Sequence, residues 1–254
     1  HSAKDAFKIV TSVAGATMPC RDDQHLRVTN ETIKGTYTYV GSRSGIKGEI
    51  DHENDCGGWE VYPEETRPAD YDTDQDGMPN WYESIIGSDV NTANHNDDPD
   101  NDGYTLLEEY LEFMAHPYLV LQKNESGKID VAKEFSGFTK SPVFTAASAS
   151  SSFSASISGS ELNVTASTLS GVGYVTVTCT DAEGSSFSQK FGVAVSGDAN
   201  AIRSVSAQSD YEVEQREFFT LDGKQVNTLD PKQTYLMRVT DTEGKTHTMK
   251  IIKN

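Results

Sequence analysis

A chain of 254 residues is long enough for two or three small domains rather than one. Its formal charge of −18 argues against nucleic acid, whose phosphates it would repel, and no stretch approaches the roughly 18–20 apolar residues that a membrane-crossing helix needs. With 35 % apolar residues and a mean hydropathy of −0.54, it reads as a polar chain that still buries modest cores.

The sequence opens at His1 rather than Met and shows no signal-peptide pattern, so it reads as a processed product or a fragment whose address label lies upstream or has been removed. Residues 1–120 look helical and irregular. Ala3, Phe7, Val10 and Ala14 recur at helical spacing, and Gly15 is a stop. Gly-rich turns follow, and Pro63 and Pro68 forbid a long helix leading into the next segment.

That segment, 70–112, holds thirteen Asp and Glu and no Lys or Arg. A run of this kind is either a disordered acidic tract or a cation site, and the spacing decides for the second. Asp72, Asp74, Asp76, Gly77, Asn80 and Glu83 stand at positions 1, 3, 5, 6, 9 and 12 of a calcium loop. Asp98, Asp100, Asp102, Gly103 and Glu109 repeat the pattern, with Leu106 at position 9, where a water commonly completes the shell. Calcium takes six to eight hard oxygens. Carboxylates at 1, 3 and 5 point inward on one turn, Gly at 6 allows the sharp bend, the carbonyl at 7 (Met78 or Tyr104) adds an oxygen, and Glu at 12 closes the cage.

A helix should follow each loop: Trp81, Ile85 and Ile86 mark the first, and Leu107, Tyr110, Leu111 and Met114 the second, at i, i+3, i+4, i+7 spacing. No helix should enter either loop, because Pro63, Pro68 and the Asn91–Asp97 run exclude it. These are loop–helix units, as in extracellular calcium repeats, rather than full sensor EF-hands. Asn94, Asn96 and Asp97 offer another register or a third ion.

From 121 to 150 the chain reads as a connector ending in a Ser/Ala-rich stretch. Strands should then cover Ser152–Ser158, Glu161–Ala166, Gly173–Thr180 and Phe187–Val195, with Asp181–Gly184 as a hairpin turn. The expected unit is a small β-sandwich of immunoglobulin-like architecture over 151–198, beginning as early as about 130. Cys179, on one face with Val175 and Val177, reads as a small buried hydrophobe. The last part, 199–254, is again β, with strands at Glu217–Leu221, Tyr235–Val239 and Thr246–Ile252 between Asp222-Gly223 and Glu243-Gly244 turns. Both β-modules read as scaffold or spacer.

The six histidines show no zinc spacing, no nucleophile elbow surrounds a serine, and no phosphate-binding Gly loop is present. Asn30, Asn124 and Asn163 open glycosylation acceptors only in a eukaryotic secretory pathway. Cys20 and Cys56 either pair in an oxidising compartment or stay as thiols, and the spacing alone leaves both open.

The run Val13-Ala14-Gly15-Ala16-Thr17-Met18-Pro19-Cys20-Arg21-Asp22, then Cys56-Gly57-Gly58-Trp59, Asp72–Glu83 and Gly103–Leu111, resembles the C-terminal end of secreted pectate lyases of Bacteroidetes-type bacteria, over residues 1–115. Phe219–Lys224 and the closing Lys250–Lys253 resemble the C-terminal sorting modules of the same bacteria. The resemblance implies a parallel β-helix that cleaves polygalacturonate by β-elimination, with an Arg base and calcium bridging substrate and enzyme. It implies a secreted or cell-surface protein whose partners are an upstream β-helix catalytic domain and pectic polysaccharide. The family usually carries neither Cys20 nor Cys56, and that both departures are cysteines points to a disulfide between them.

No part of the β-helix or its catalytic motif is found here, so no catalytic residue is carried over; Arg21, Arg27, Arg43 and Arg67 read as surface or ion-pair residues. The expectation is therefore a multidomain, non-catalytic C-terminal part: a calcium-binding cap or flank of the lyase, a sandwich, and a small all-β terminal domain. The alternatives are a dockerin-like module, which needs an exposed apolar patch on Ile85, Ile86 or Leu111, and a calcium-dependent adhesin using the sandwich as its contact domain.

Overall fold

The structure, a computed structural model, describes residues 2–18, 21–59, 67–197, 213–220, 224–226, 233–241 and 246–253. The described residues form a mixed helix-and-sheet structure with a β-sandwich-like arrangement, and no barrel is found among them. The chain falls into two compact units, His1–Ile33 with Pro68–Gln208, and Lys34–Arg67 with Ser209–Asn254. No helix of the described residues is long and apolar enough to cross a membrane.

In the first unit, helix α1 (Ala3–Val13) begins with a capping box: the Ser2 hydroxyl accepts from the Asp5 N–H, and the Asp5 carboxylate accepts from the Ser2 N–H. Gly15, at φ 87°, follows its end. The helix buries a different face from the one its apolar residues mark. Lys8, Thr11 and Ser12 are buried, while Phe7 and Val10 are 45 % and 57 % exposed. The reason is local satisfaction and close approach. The Thr11 and Ser12 hydroxyls donate to the Phe7 and Lys8 carbonyls, and Gly137 sits so near that a Cβ there would lie 2.1 Å from the Lys8 carbonyl oxygen. Helix α2 (Asp23–Lys34) follows.

The sandwich has one sheet of order β1-β7-β6-β3 and another of order β2-β5-β4. Its strands are β1 (Tyr118–Gln122), β2 (Ser126–Asp130), β3 (Val143–Ser148), β4 (Phe153–Ser158), β5 (Glu161–Ala166), β6 (Gly171–Thr180) and β7 (Ser186–Ser196). All pairings are antiparallel except β1 with β7, which run parallel. The connector expected over 121–150 is not one: it carries the end of β1, then β2, a short 3₁₀ turn at Val131–Phe135, and β3. Nor does a boundary fall at 120, because β1 is a sandwich strand.

The β1-β7-β6-β3 sheet is covered on both faces. Leu119, Leu121, Phe191, Val193 and Val195 point into the sandwich core with Val175, Val177 and Cys179, all three fully buried. Tyr118, Val120 and Ala194 point the other way, into a cluster with Met78, Tyr82, Ile85, Leu106, Tyr110 and Phe113. Gly192 makes that contact possible, since a Cβ there would lie 2.7 Å from the Phe113 ring. Burial holds the Cys179 thiol up at about 11.

The second unit contains a sheet of order β11-β10-β8-β9, antiparallel throughout, built from β8 (Val213–Thr220), β9 (Gln225–Val226), β10 (Gln233–Asp241) and β11 (Thr246–Lys253). The two expected Asp-Gly and Glu-Gly turns lie outside the described residues. The 40–58 segment is organised by carboxylates: Asp51 accepts from the Arg43 and Ser44 N–H groups, and Asp55 from those of Ser42, Asp51 and His52. Gly57 and Gly58, at φ 97° and 85°, end the 3₁₀ turn Glu53–Cys56 and leave Trp59 78 % exposed. Cys56 carries a free thiol 3.2 Å from the Glu53 carbonyl, and its expected partner Cys20 lies outside the described residues.

Candidate metal centre

Each acidic loop folds on its own side chains. In the first, the Asp72 carboxylate accepts from the Gly77 N–H at 3.0 Å, Asp74 from the Asp76 N–H at 3.2 Å, and Asp76 from the Met78 N–H at 2.9 Å. In the second, Asp98 accepts from the Gly103 N–H at 3.1 Å, Asp98 and Asp100 share the Asp102 N–H, and Asp102 accepts from the Tyr104 N–H at 2.9 Å. The backbone matches position by position: Gln75 and Asn101 both have φ 60°, and Gly77 and Gly103 have φ 100° and 98°. Only a Cβ-free residue takes the last of these conformations without strain, which is why glycine stands at position 6 in both.

The turns gather the carboxylates. Ligand-capable oxygens of Asp72, Asp74 and Asp76 lie within 4.8 Å of one another, and so do those of Asp98, Asp100 and Asp102. A helix leaves each loop: α3 (Asn80–Ile86) and α4 (Leu106–Met114), the second capped by a Thr105–Glu108 box. The N–H at position 9 closes each loop onto the residue before it begins, Asn80 to the Tyr71 carbonyl and Leu106 to the Asp97 carbonyl, both at 2.9 Å. Those helices carry Tyr82, Tyr110 and Phe113 onto the sandwich, with Tyr82 and Tyr110 rings 5.0 Å apart and Phe113 and Tyr118 rings 5.0 Å apart.

Glu83 and Glu109, the position-12 acids, face these clusters. Glu83 is fully buried, and its carboxyl is pushed up to about 7, first by burial and then by the charges of Asp74, Asp76 and Asp72. Glu109 is raised by burial and by Asp100, Asp102 and Asp98, and Asp74 is raised mainly by burial. Among the described residues, both Glu83 oxygens, Asp72 Oδ1 and Asp74 Oδ2 are buried without a hydrogen-bond partner. A buried carboxylate left unpaired among like charges costs several kcal/mol. A divalent cation taking hard oxygens removes that cost, and an all-oxygen acidic donor set suits calcium rather than zinc. The first loop therefore fits a calcium ion. The second offers the same arrangement with Asp100 and Asp102 exposed.

Asn80 stands at position 9 of the first loop. Its side-chain amide donates to the Asp70 carbonyl and the Thr73 hydroxyl, and its carbonyl oxygen accepts from the Thr73 N–H at 2.9 Å. These contacts tie Asn80 to the second residue of the loop and to Asp70 just before it. Of the position-7 residues, Met78 is buried in the aromatic cluster and Tyr104 is exposed; their N–H groups hold Asp76 and Asp102. Two supports escaped the sequence reading. The Asn94 and His95 N–H groups donate to Asp76 Oδ2 at 3.2 and 3.1 Å, a contact over 18 and 19 residues with no local signal. The Thr105-x-x-Glu108 box was legible as a capping pattern.

No protein-family model matches the sequence, and comparison with curated proteins finds no match. Among solved structures, similarity is found to a nucleoside hydrolase-related hypothetical protein from Saccharophagus degradans associated with carbohydrate metabolism (15 % identity, TM-score 0.25, 33 % of this chain and 23 % of that one). Others are Drosophila N-cadherin EC1-4 (14 %, 0.24, 55 % and 48 %) and SGBP-B of the Bacteroides ovatus mixed-linkage glucan utilization locus, in complex with a mixed-linkage heptasaccharide (11 %, 0.22, 53 % and 42 %). The chain thus spans less than half the length of each of these three. Likenesses of this size carry no argument about function.

Proposed function

We propose that this chain is a calcium-stabilised, non-catalytic part of an extracellular protein, holding one Ca²⁺ at each acidic loop. Asp72, Asp74, Asp76 and Glu83 would hold the first ion and Asp98, Asp100, Asp102 and Glu109 the second, with the position-7 carbonyls of Met78 and Tyr104 completing the sets. The observation that carries the reading is Glu83, fully buried with both carboxylate oxygens unpartnered beside the Asp72–Asp76 cluster. Calcium there would supply the positive charge that residues 70–112, with no Lys or Arg, do not contain.

The role is structural. Each loop runs into a helix whose aromatic face lies on the β1-β7-β6-β3 sheet, so an ion that fixes the loop also fixes the helical layer against the sandwich. If the chain is extracellular, sites with the affinities of extracellular modules, about 10⁻⁴ to 10⁻³ M, would be filled by millimolar calcium. The resemblance of residues 1–115 to the end of secreted pectate lyases supplies the context: an accessory part beside an upstream β-helix that acts on pectic polysaccharide. A dockerin-like reading is less well supported, since Ile85 is buried and Leu111 is the exposed member of its expected patch.

Terbium luminescence sensitised by Trp81 and its neighbouring tyrosines tests the sites. Calcium should displace the signal, and Asp74→Ala should remove the first-loop component. Absence of sensitised emission sinks the calcium reading. A lyase assay on the same chain with polygalacturonate, with calcium and with chelator, tests the accessory role; a chelator-sensitive gain in ultraviolet absorbance contradicts it.

A further inference from the structure

Lys8 is an unusual residue to bury. Its side chain is 6 % exposed, and its ammonium lies 2.5 Å from Asp181 Oδ2, 2.7 Å from Glu183 Oε2 and 2.9 Å from the Ser185 hydroxyl. Asp181 is 0 % exposed at its side chain, and the Phe138 ring stands 5.9 Å from Nζ. The partners are 173 positions apart, one on α1 and the other at the turn between β6 and β7. Because a C–O bond is about 1.2 Å, Asp181 Cγ lies within about 3.7 Å of Nζ, close to the separation of reacting atoms about to bond.

The other Asp181 oxygen is held differently. Oδ1 accepts from the backbone N–H groups of Glu183 at 3.0 Å and Ser185 at 3.1 Å. Two fixed backbone donors on one carboxyl oxygen are what a tetrahedral intermediate needs for its developing negative charge. A nucleophile and an oxyanion site thus meet at one buried point, and Glu183, part exposed and also paired with Lys4 at 2.6 Å, reaches the nucleophile from the solvent side.

We propose that Lys8 and Asp181 join in an intramolecular amide bond, with Glu183 as the proton carrier. One proton passes from Nζ to Oδ2 within the pair, leaving a neutral amine and a neutral acid. Nζ then bonds to Cγ, and the charge gathers on Oδ1 under the two N–H groups. Glu183 takes a second proton from Nζ and delivers it to Oδ2; the Cγ–Oδ2 bond breaks, the Oδ1 carbonyl reforms and water leaves. Of the three ammonium protons, one stays on the amide nitrogen and two depart in the water, so no outside reagent is needed. At rest the pair is ionic. Burial pushes Asp181 up, but Lys8 and the two backbone donors outweigh it and hold its carboxyl below the usual range. The first proton transfer is therefore uphill, which a reaction occurring once per chain tolerates. The bond would fasten α1 covalently to the far hairpin of the sandwich.

Intact mass spectrometry of the full chain, folded, then reduced and denatured, tests this. The expected mass is lower than that of the sequence by one water, and fragmentation should show a branched peptide joining Lys8 to Asp181. Lys8→Arg and Asp181→Ala should restore the full mass, and Glu183→Gln should slow or abolish the loss. An unchanged mass in the wild-type chain after prolonged incubation overturns the proposal. So does a water loss that survives Lys8→Arg, which would mark succinimide formation at the aspartate instead. An unaltered rate in Glu183→Gln removes Glu183 from the proton-carrier role.

Discussion

Replacing Glu83 by Gln should act in opposite directions with and without calcium. Without the ion and above pH about 7, wild-type protein keeps a buried carboxylate beside Asp72, Asp74 and Asp76 with no donor to either oxygen, so the comparison is made at pH about 8. Glu83→Gln removes that charge at nearly constant volume, so the calcium-free variant should be as stable as wild type or more so. With calcium the charge is a ligand. One site stabilises the fold by about 1.4 kcal/mol at tenfold excess over Kd and about 2.7 kcal/mol at hundredfold. Losing the first site forfeits that amount, and for a unit of this size each kcal/mol moves Tm by about 2–4 °C, so the deficit is roughly 3–10 °C. Thermal unfolding followed by circular dichroism, for both proteins with calcium and with chelator, gives the four midpoints. The reasoning fails if Glu83→Gln lowers Tm equally in both conditions, because Glu83 would then serve packing rather than an ion.

Gly192→Ala puts a methyl 2.7 Å from the Phe113 ring, so overpacking should cost about 1–3 kcal/mol in denaturant unfolding; an unchanged midpoint would mean that the helical layer does not press on β7. Thr105→Ala removes the hydroxyl that caps α4 and should cost about 1 kcal/mol while weakening calcium at the second loop and sparing the first, as loop-specific terbium titrations would read. Glu112 is held at about 2, first by Lys190 and then by His116. A depressed carboxyl contributes stability above its unfolded value near 4.3 and loses it as pH falls toward 2. The pair is half exposed, so the contribution is about 0.2–1 kcal/mol: the Tm gap between wild type and Glu112→Gln should close over that acid window, and a gap constant to pH about 2 would contradict it.

Where one face of an element meets the core and the other meets water, the sequence was readable. Val175, Val177 and Cys179 alternate with Thr residues, and β4 to β7 appear within two residues of the expected bounds. The acidic loops were readable for a different reason: their folding is local, each Asp closing on an N–H two to five positions on. β1 was missed because Tyr118-Leu119-Val120-Leu121 is apolar throughout. Both its faces are covered, one by the sandwich core and one by the α3–α4 layer, so no alternation survives to mark a strand. The buried face of α1 was misread because Lys8 finds its partners 173 residues or more away, which no local pattern records. The contacts of Asn80 to Thr73 and Asp70 arise from the bend of its own loop, which spacing alone does not record.

Isothermal titration calorimetry of calcium into the chelator-stripped chain tests the central claim most directly. Two calcium ions per chain are expected, one lost in Asp74→Ala and the other in Asp100→Ala, with magnesium a poor competitor because it resists giving up its water for flexible carboxylate cages. Heat of binding that is absent, or that survives both substitutions together, would contradict it.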